Sequence, residues 1–361
     1  MEKFIQEPRF VAVDFDPFTG PAIEQAIPTT EAQREVLTAS EMGVDASCAY
    51  NESVSLELKG MLDRPAMERA MHELVRRHEA LRSTLNASGT RMLVTDEVKF
   101  ELPFTDLSVL SDAERSKQLD AIAQKDMTTP FDLRNGPLFH AQLIKVAGDA
   151  HLLRLCGHHV VCDGWSLGIM MAEISALYNA AKNGGAPKLP EANTFSEYSL
   201  ASIDFAKSPE HASVERYWLD LYKGPIPRLD LPTDRPRPRQ KTYKGNRLDL
   251  LLPQELVRGL KEVATRSGAS FVTTLMTTFE VLLHKLTGDS DIVVGLPAAG
   301  QSDLGMKHLV GHCVNLLALR SRIDEENPFI EHLKARRTGV LEAGGNQKYT
   351  LDTLFRKLNV P

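Results

Sequence analysis

Apolar residues in this chain recur with two spacings, and the spacing changes from segment to segment. Ser53–Leu58 alternates, with Val54, Leu56 and Leu58 on one face, which predicts a half-buried strand. Asp63 is placed to cap the next element and Pro65 falls in its first turn. Met67, Ala70, Met71, Leu74, Val75 and Leu81 then form a helical stripe. Arg91–Thr95 predicts a strand and Ser111–Met127 an amphipathic helix. Leu138–Val146 and His151–Leu155 predict paired strands around the turn Ala147–Ala150. From about Leu167 to Lys182, Met170, Ile174, Leu177 and Ala181 mark one buried helical face.

Asn183–Pro190 is rich in Gly and Pro and is the expected hinge. Beyond it the pattern predicts a helix around Ala212–Leu221, an irregular Pro/Arg segment at Leu231–Gln240 and a strand at Asn246–Leu252. Two helices follow, Gln254–Arg266 and Phe271–Leu286, the second with Leu275, Phe279, Leu282 and Leu286 inward. Strands at Asp291–Gly295 and Val314–Arg320 and a helix at Pro328–Glu342 complete the series. Residues 1–27, with Pro8, Pro17, Gly20 and Pro21, predict a lead-in or linker, whereas Thr29 or Thr30 can cap a helix through Ala39. The order is not a regular alternation of strand and helix. An α/β (α+β) protein of two lobes, each a mixed sheet with packed helices, is expected: 28–182, the hinge 183–190, and 191–361.

Composition narrows the class. The 361 residues are 42% hydrophobic and 25% charged, which is globular. With 42 basic against 48 acidic side chains the formal charge is −6, so nucleic acid is not an expected partner. No apolar run reaches the ~18–20 residues of a membrane span. The N-terminus has no basic region followed by an apolar one, so a cytoplasmic protein is expected. Cys48, Cys156, Cys162 and Cys313 show no C-x-x-C spacing and read as reduced thiols.

The chemistry concentrates in Leu155–Ser166, LCGHHVVCDGWS, where a strand gives way to a helix. On an extended strand His158 and His159 point to opposite faces, so one can face a cleft while the other is buried. A lone core histidine is ordinarily structural, which suits His158, whereas the surrounding cluster marks His159 as functional. A neutral imidazole can take a proton from an amine or alcohol near neutral pH. Asp163, in the turn, needs a cationic partner if buried. Gly164 permits a backbone angle other residues resist, and Ser166 is placed to cap the following helix. Cys156, His158, His159, Cys162 and Asp163 also lie close enough in sequence to raise a metal site. Their spacing fits no familiar zinc pattern and strand alternation scatters them over two faces, so no metal is expected. A G-x-S-x-G elbow is absent, and Gly295–Gly300 (GLPAAG) lacks the ending of a phosphate loop.

HHVVCDGWS resembles the HHxxxDG signature of nonribosomal peptide synthetase condensation domains, which are similar in fold to chloramphenicol acetyltransferase. Other stretches agree in the family's order. Thr29–Thr38 resembles the opening helix motif, with Leu37 where an aromatic residue is common. Arg77–Leu85 (RHEALRSTL) matches the RHExLR type. Val310–Arg320 (VGHCVNLLALR) resembles the second lobe's Gly…Val-Asn…Arg strand. Tyr349–Leu358 resembles the following helical motif without its usual histidine. DGWS follows the condensing rather than the epimerising pattern, and both histidines are present, unlike in heterocyclising members. Val13–Gly20 and Tyr50–Leu56 resemble members placed after polyketide or acyl carrier modules, implying a fatty or polyketide acyl donor. The family's domain continues past a motif like Tyr349–Leu358, so the second lobe is expected to be incomplete.

The resemblance implies two lobes in a V around a tunnel. A donor thioester and an acceptor amine, each on the phosphopantetheine arm of a carrier domain, would meet at His159, with adenylation or polyketide modules adjacent and no cofactor bound by the domain itself. His158, Asp163 and Gly164 would support the turn, Asp163 through Arg82 or Arg320. Trp165, Ser166 and Asn315 would belong to the tunnel, Trp165 by packing. A stand-alone acyltransferase using a free amine or alcohol, and a non-catalytic scaffold that docks carrier domains, remain as alternatives.

Overall fold

The computed structural model describes residues 22–96 and 100–360. Val13–Gly20 and most of the expected lead-in lie outside them. The last part of that lead-in is not a linker, because Ile23–Pro28 is a strand, β1, closed by Thr30 as the cap of helix Glu31–Ser40. Thr30 and Gln33 cap reciprocally, each side chain accepting from the other's backbone N–H.

β2 (Asn51–Lys59), β3 (Ser83–Leu85), β4 (Arg91–Thr95), β5 (Phe104–Asp106), β6 (Phe139–Ala147) and β7 (Ala150–His158) follow. β1, β4 and β3 form one antiparallel sheet in that order. The other runs β2–β7–β6–β5 and is mixed, since β5 pairs parallel to β6. Helices Arg64–Arg77 and Gly164–Asn183 pack on this sheet. Met71, Leu74, Leu143, Leu153, Leu155 and Met170 are sealed between them, each worth about 1.5–3 kcal/mol of transfer from water. Asp63 caps the first of these helices through Ala66 N, with Pro65 in its first turn, as its sequence predicts.

Helix Gly164–Asn183 ends at left-handed Gly184, and the chain to Pro190 carries no helix or strand. Helices Phe195–Ala206 and Pro209–Leu221 come next. Phe195 packs with Ile27, Val36 and Leu85 on the β1–β4–β3 sheet. The predicted irregular segment is irregular, but Asn246–Leu252 is no strand: it makes no ladder, and Leu248, Leu250 and Leu251 are exposed. Alternation there reflects composition without a partner to bury it.

Helices Gln254–Arg266 and Phe271–Thr287 precede β8 (Asp291–Ala299), which pairs antiparallel with β9 (Val314–Arg322). Helices Phe329–Gly345 and Leu351–Leu358 finish the described chain. Helix Phe271–Thr287 sits the other way round from its apolar stripe. Leu275, Phe279, Leu282 and Leu286 are exposed, and Thr273, Thr274, Thr277, Glu280 and His284 are buried. These buried polar groups have partners: Thr274 and Thr277 hydroxyls donate to carbonyls four residues back, Glu280 Oε2 accepts from Arg336 Nε, and His284 lies between the Asp289 carbonyl and Glu325.

Candidate active site

β7 ends at His158, opposite Asn51 of β2. The His159 N–H donates to the Tyr50 carbonyl at 2.8 Å, so the pairing continues one residue past the ladder and turns the two imidazoles apart. Gly157 is required there: a Cβ would come 2.7 Å from Cys162 Sγ.

His158 is fully buried. Its Nδ1 accepts from Val160 N at 3.2 Å, which puts the proton on Nε2, 3.4 Å from the Ser40 hydroxyl. Burial, then the neighbouring His159, pushes its pKa down to about 4, so it is a neutral prop.

His159 faces the other way, with 28% of its side chain exposed, so reactants can reach it. Its Nδ1 lies 3.0 Å from Nδ1 of His312, with the rings at 84°. His312 is sealed, and burial with the charges of His159 and His158 pushes its pKa down to about 3. One Nδ1 of the pair therefore carries a proton and the other accepts it. On the opposite side His159 Nε2 stands 4.0 Å from Glu52 Oε2.

Asp163 has no arginine. Arg82 binds Glu24 and the Thr95 carbonyl, and Arg320 binds Asp291 and backbone carbonyls near Leu221. Instead Oδ1 accepts from Ser166 N and Oγ at 2.8 and 2.7 Å, and Oδ2 from Gln301 Nε2 and Cys313 N at 2.8 and 3.0 Å. Four donors at a helix N-terminus offset the buried charge in place of a cation. Asp163, rather than Ser166, is thus the cap of helix Gly164–Asn183. Ser166 is fully buried and its Oγ accepts from Gly311 N, so it fastens the second half of the chain and lines no tunnel. Gly164 adopts no left-handed angle. What its missing side chain leaves is space, since a Cβ there would face Glu52 Oε1 at 3.9 Å.

Trp165 is half exposed beside Lys307, whose carbonyl lies 3.4 Å from the indole N–H. Asn315 donates to the Gln347 and Tyr349 carbonyls and lines a cavity of about 270 Å³ together with Thr29, Tyr198 and Cys313. That cavity does not include His159. The structure therefore gathers His158, His159, Asp163 and Gly164, adds Glu52 and His312, and leaves Arg82, Arg320 and Asn315 elsewhere. Among the described residues, the group spaced to hold a metal is Asp126, His140 and Cys156, within 4.8 Å of one another. Arg154 already binds that Asp126, and burial pushes the Cys156 thiol up to about 12.

The Condensation domain family model matches residues 23–361, and the chain belongs to the condensation-domain family. It is 33% identical over 314 residues to bacitracin synthase 3 of Bacillus licheniformis, covering 86% of this chain and 5% of that protein. It is 36% identical over 311 residues to phosphinothricin tripeptide synthetase PhsC of Streptomyces viridochromogenes, covering 84% and 28%. The chain thus spans only a small part of these relatives. Its fold matches the first condensation domain of the calcium-dependent antibiotic synthetase with a TM-score of 0.78 at 22% identity, covering 93% of this chain and 78% of that one. The condensation domain of the monacolin K polyketide synthase gives 0.78 at 21%, covering 94% and 77%.

Proposed function

We propose that this chain forms an amide bond between an acyl group delivered as a thioester and an amine acceptor. The amine nitrogen attacks the thioester carbonyl, the C–S bond breaks, and the amine's proton passes to the departing sulfur. The observation that carries the reading is His159, an accessible imidazole clamped at Nδ1 by a buried neutral histidine from the far half of the chain. An imidazole so held can relay the proton or orient the amine. His158, Asp163 and Gly164 shape the turn that presents it, with Trp165 packing beside the turn and Asn315 in the neighbouring cavity wall.

Both substrates would arrive on phosphopantetheine arms of donor and acceptor carrier domains, with adenylation or polyketide modules adjacent. The names of the peptide synthetases it resembles support this. No helix among the described residues is long and apolar enough to cross a bilayer, and the cytoplasm suits the four free thiols. Asn183–Pro190 is the proposed hinge between lobes.

Intact-protein mass spectrometry of loaded donor and acceptor carrier proteins tests the reaction. The acyl mass should move to the acceptor arm with this chain, and His159→Ala should slow transfer at least about 100-fold with an unchanged unfolding curve. Full transfer by that variant would remove His159 from the chemistry. Transfer only to soluble amines or alcohols would indicate the stand-alone acyltransferase instead.

A further inference from the structure

Glu52 is the group in the site with no structural task. It lies on β2 opposite Gly157 and shares strand parity with Val54, Leu56 and Leu58, so its side chain takes the inward side of the sheet. Its Oε2 is buried and has no hydrogen-bond partner. Asp163, by contrast, is saturated with donors. An orphaned buried carboxylate oxygen is costly unless a donor arrives to meet it. The titratable groups that face it are His159, Asp163 and the sealed thiol of Cys162. Burial raises its pKa and His159 opposes that rise. Gly164 keeps the space beside Oε1 free of a side chain.

We propose that Glu52 receives the ammonium form of the acceptor and so selects an amine over a hydroxyl nucleophile. The inference rests on the amide-forming reading above. Glu52 Oε2 and His159 Nε2 stand 4.0 Å apart and 29% of the Glu52 side chain is exposed, so a small turn of the carboxylate lets a nitrogen entering from solvent lie within hydrogen-bond distance of both groups. An α-amino group with a pKa of about 7.7–8.0 is mostly protonated at neutral pH and cannot attack in that state. The carboxylate takes the first proton from the ammonium and leaves a neutral amine beside His159. The amine bonds to the thioester carbon, and its second proton passes through His159 to the sulfur as the C–S bond breaks. The amide keeps the one remaining hydrogen, and Glu52 returns its proton to water. A hydroxyl acceptor brings no positive charge and gains nothing from the carboxylate.

Two measurements on the full chain separate this inference from the reaction itself. Calorimetry compares an aminoacyl-pantetheine amide, which cannot transfer, with its hydroxyacyl counterpart. Near pH 6.5 the natural chain should bind the ammonium compound at least about tenfold more tightly, and Glu52→Gln should erase that preference. Equal binding of both compounds by the natural chain overturns the inference whether or not acyl transfer is seen. Where transfer is measured, Glu52→Gln should raise the acceptor KM at pH 6.5, leave the donor KM alone, and approach the natural chain near pH 9. A loss equal at every pH would assign Glu52 to packing. Glu52→Asp, which keeps the charge but shortens its reach, should retain part of the preference and serves if the Gln variant folds poorly.

Discussion

At the residue scale the site depends on imidazoles that burial keeps neutral. His158 and His312 are depressed to about 4 and about 3, each chiefly by burial. His140 and His151 are also held low by burial. In every case the folded pKa lies below the unfolded value of about 6.5, so the unfolded chain binds more protons once the pH falls through that value. Stability from these groups is complete above about pH 6.5 and is lost as the pH falls toward 4. Each histidine contributes a slope of at most about 1.4 kcal/mol per pH unit, and His158 and His312 share part of their cause, so their slopes do not simply add. Thermal unfolding should therefore show Tm level from pH 8 to 7 and falling between 6.5 and 5. His312→Leu should flatten that fall, and an unchanged profile would mean that His312 is not held neutral by its surroundings. The motif around His159 and Asp163 is legible because its parts are adjacent in sequence. His312, 153 positions from His159, is not, because only the packing of the two halves brings it near. Glu52 carried a readable signal all the same: a carboxylate at an inward position of an alternating strand is out of place unless something binds it.

At the scale of elements, most boundaries follow from local rules. Asp63 and Thr30 cap the helices that their positions in sequence suggest, and Ser111 and Thr194 cap theirs by the same rule. Helix Phe271–Thr287 resists such reading because its two faces compete. One carries Leu275, Phe279, Leu282 and Leu286; the other carries threonines, Glu280 and His284. Periodicity favours the first as the core face, yet Arg336, itself buried on helix Phe329–Gly345, demands Glu280 as its partner. A buried guanidinium left without its carboxylate costs about 3–5 kcal/mol, comparable to what covering the rest of four half-covered apolar side chains would regain, and Met276 and Leu283 already bring apolar surface to the buried face. The assignment is testable. Phe279→Ser should change the unfolding free energy by about 1 kcal/mol or less, as at a surface position. A core phenylalanine truncated to a small residue would cost about 3–5 kcal/mol. Denaturant unfolding distinguishes the two, and the larger value would restore the inward orientation. The same logic applies to Asp163: burial demands compensation, but sequence cannot say whether a cation or a ring of N–H and O–H donors supplies it.

Across the whole molecule, the segment 300–313 is what places the second half of the chain in the site. Leu309 and Cys313 join the β1–β4–β3 core and Val310 joins the other. Gly311 and Cys313 reach Ser166 and Asp163 through their backbone N–H groups. His312 lies between those two anchors, so its contact with His159 is fixed by them. The tightest point is Gly311, where a Cβ would fall 2.2 Å from Cδ2 and 2.6 Å from Cε2 of Phe195. Phe195 is itself 1% exposed among Ile27, Val36 and Leu85 and has little room to yield. Gly311→Ala should therefore cost about 1–3 kcal/mol through overpacking. The displaced segment should also loosen His312 from His159, lowering the transfer rate more than the donor KM. Phe195→Leu removes the ring edge that the new methyl would strike. Alone it should destabilise mildly, but combined with Gly311→Ala it should recover part of both losses, a coupling of about 1 kcal/mol or more in a double-mutant cycle. Strict additivity would show that the steric meeting of these two residues does not set the register. The site would then owe its alignment to the hydrogen bonds of Asp163 and Ser166 alone.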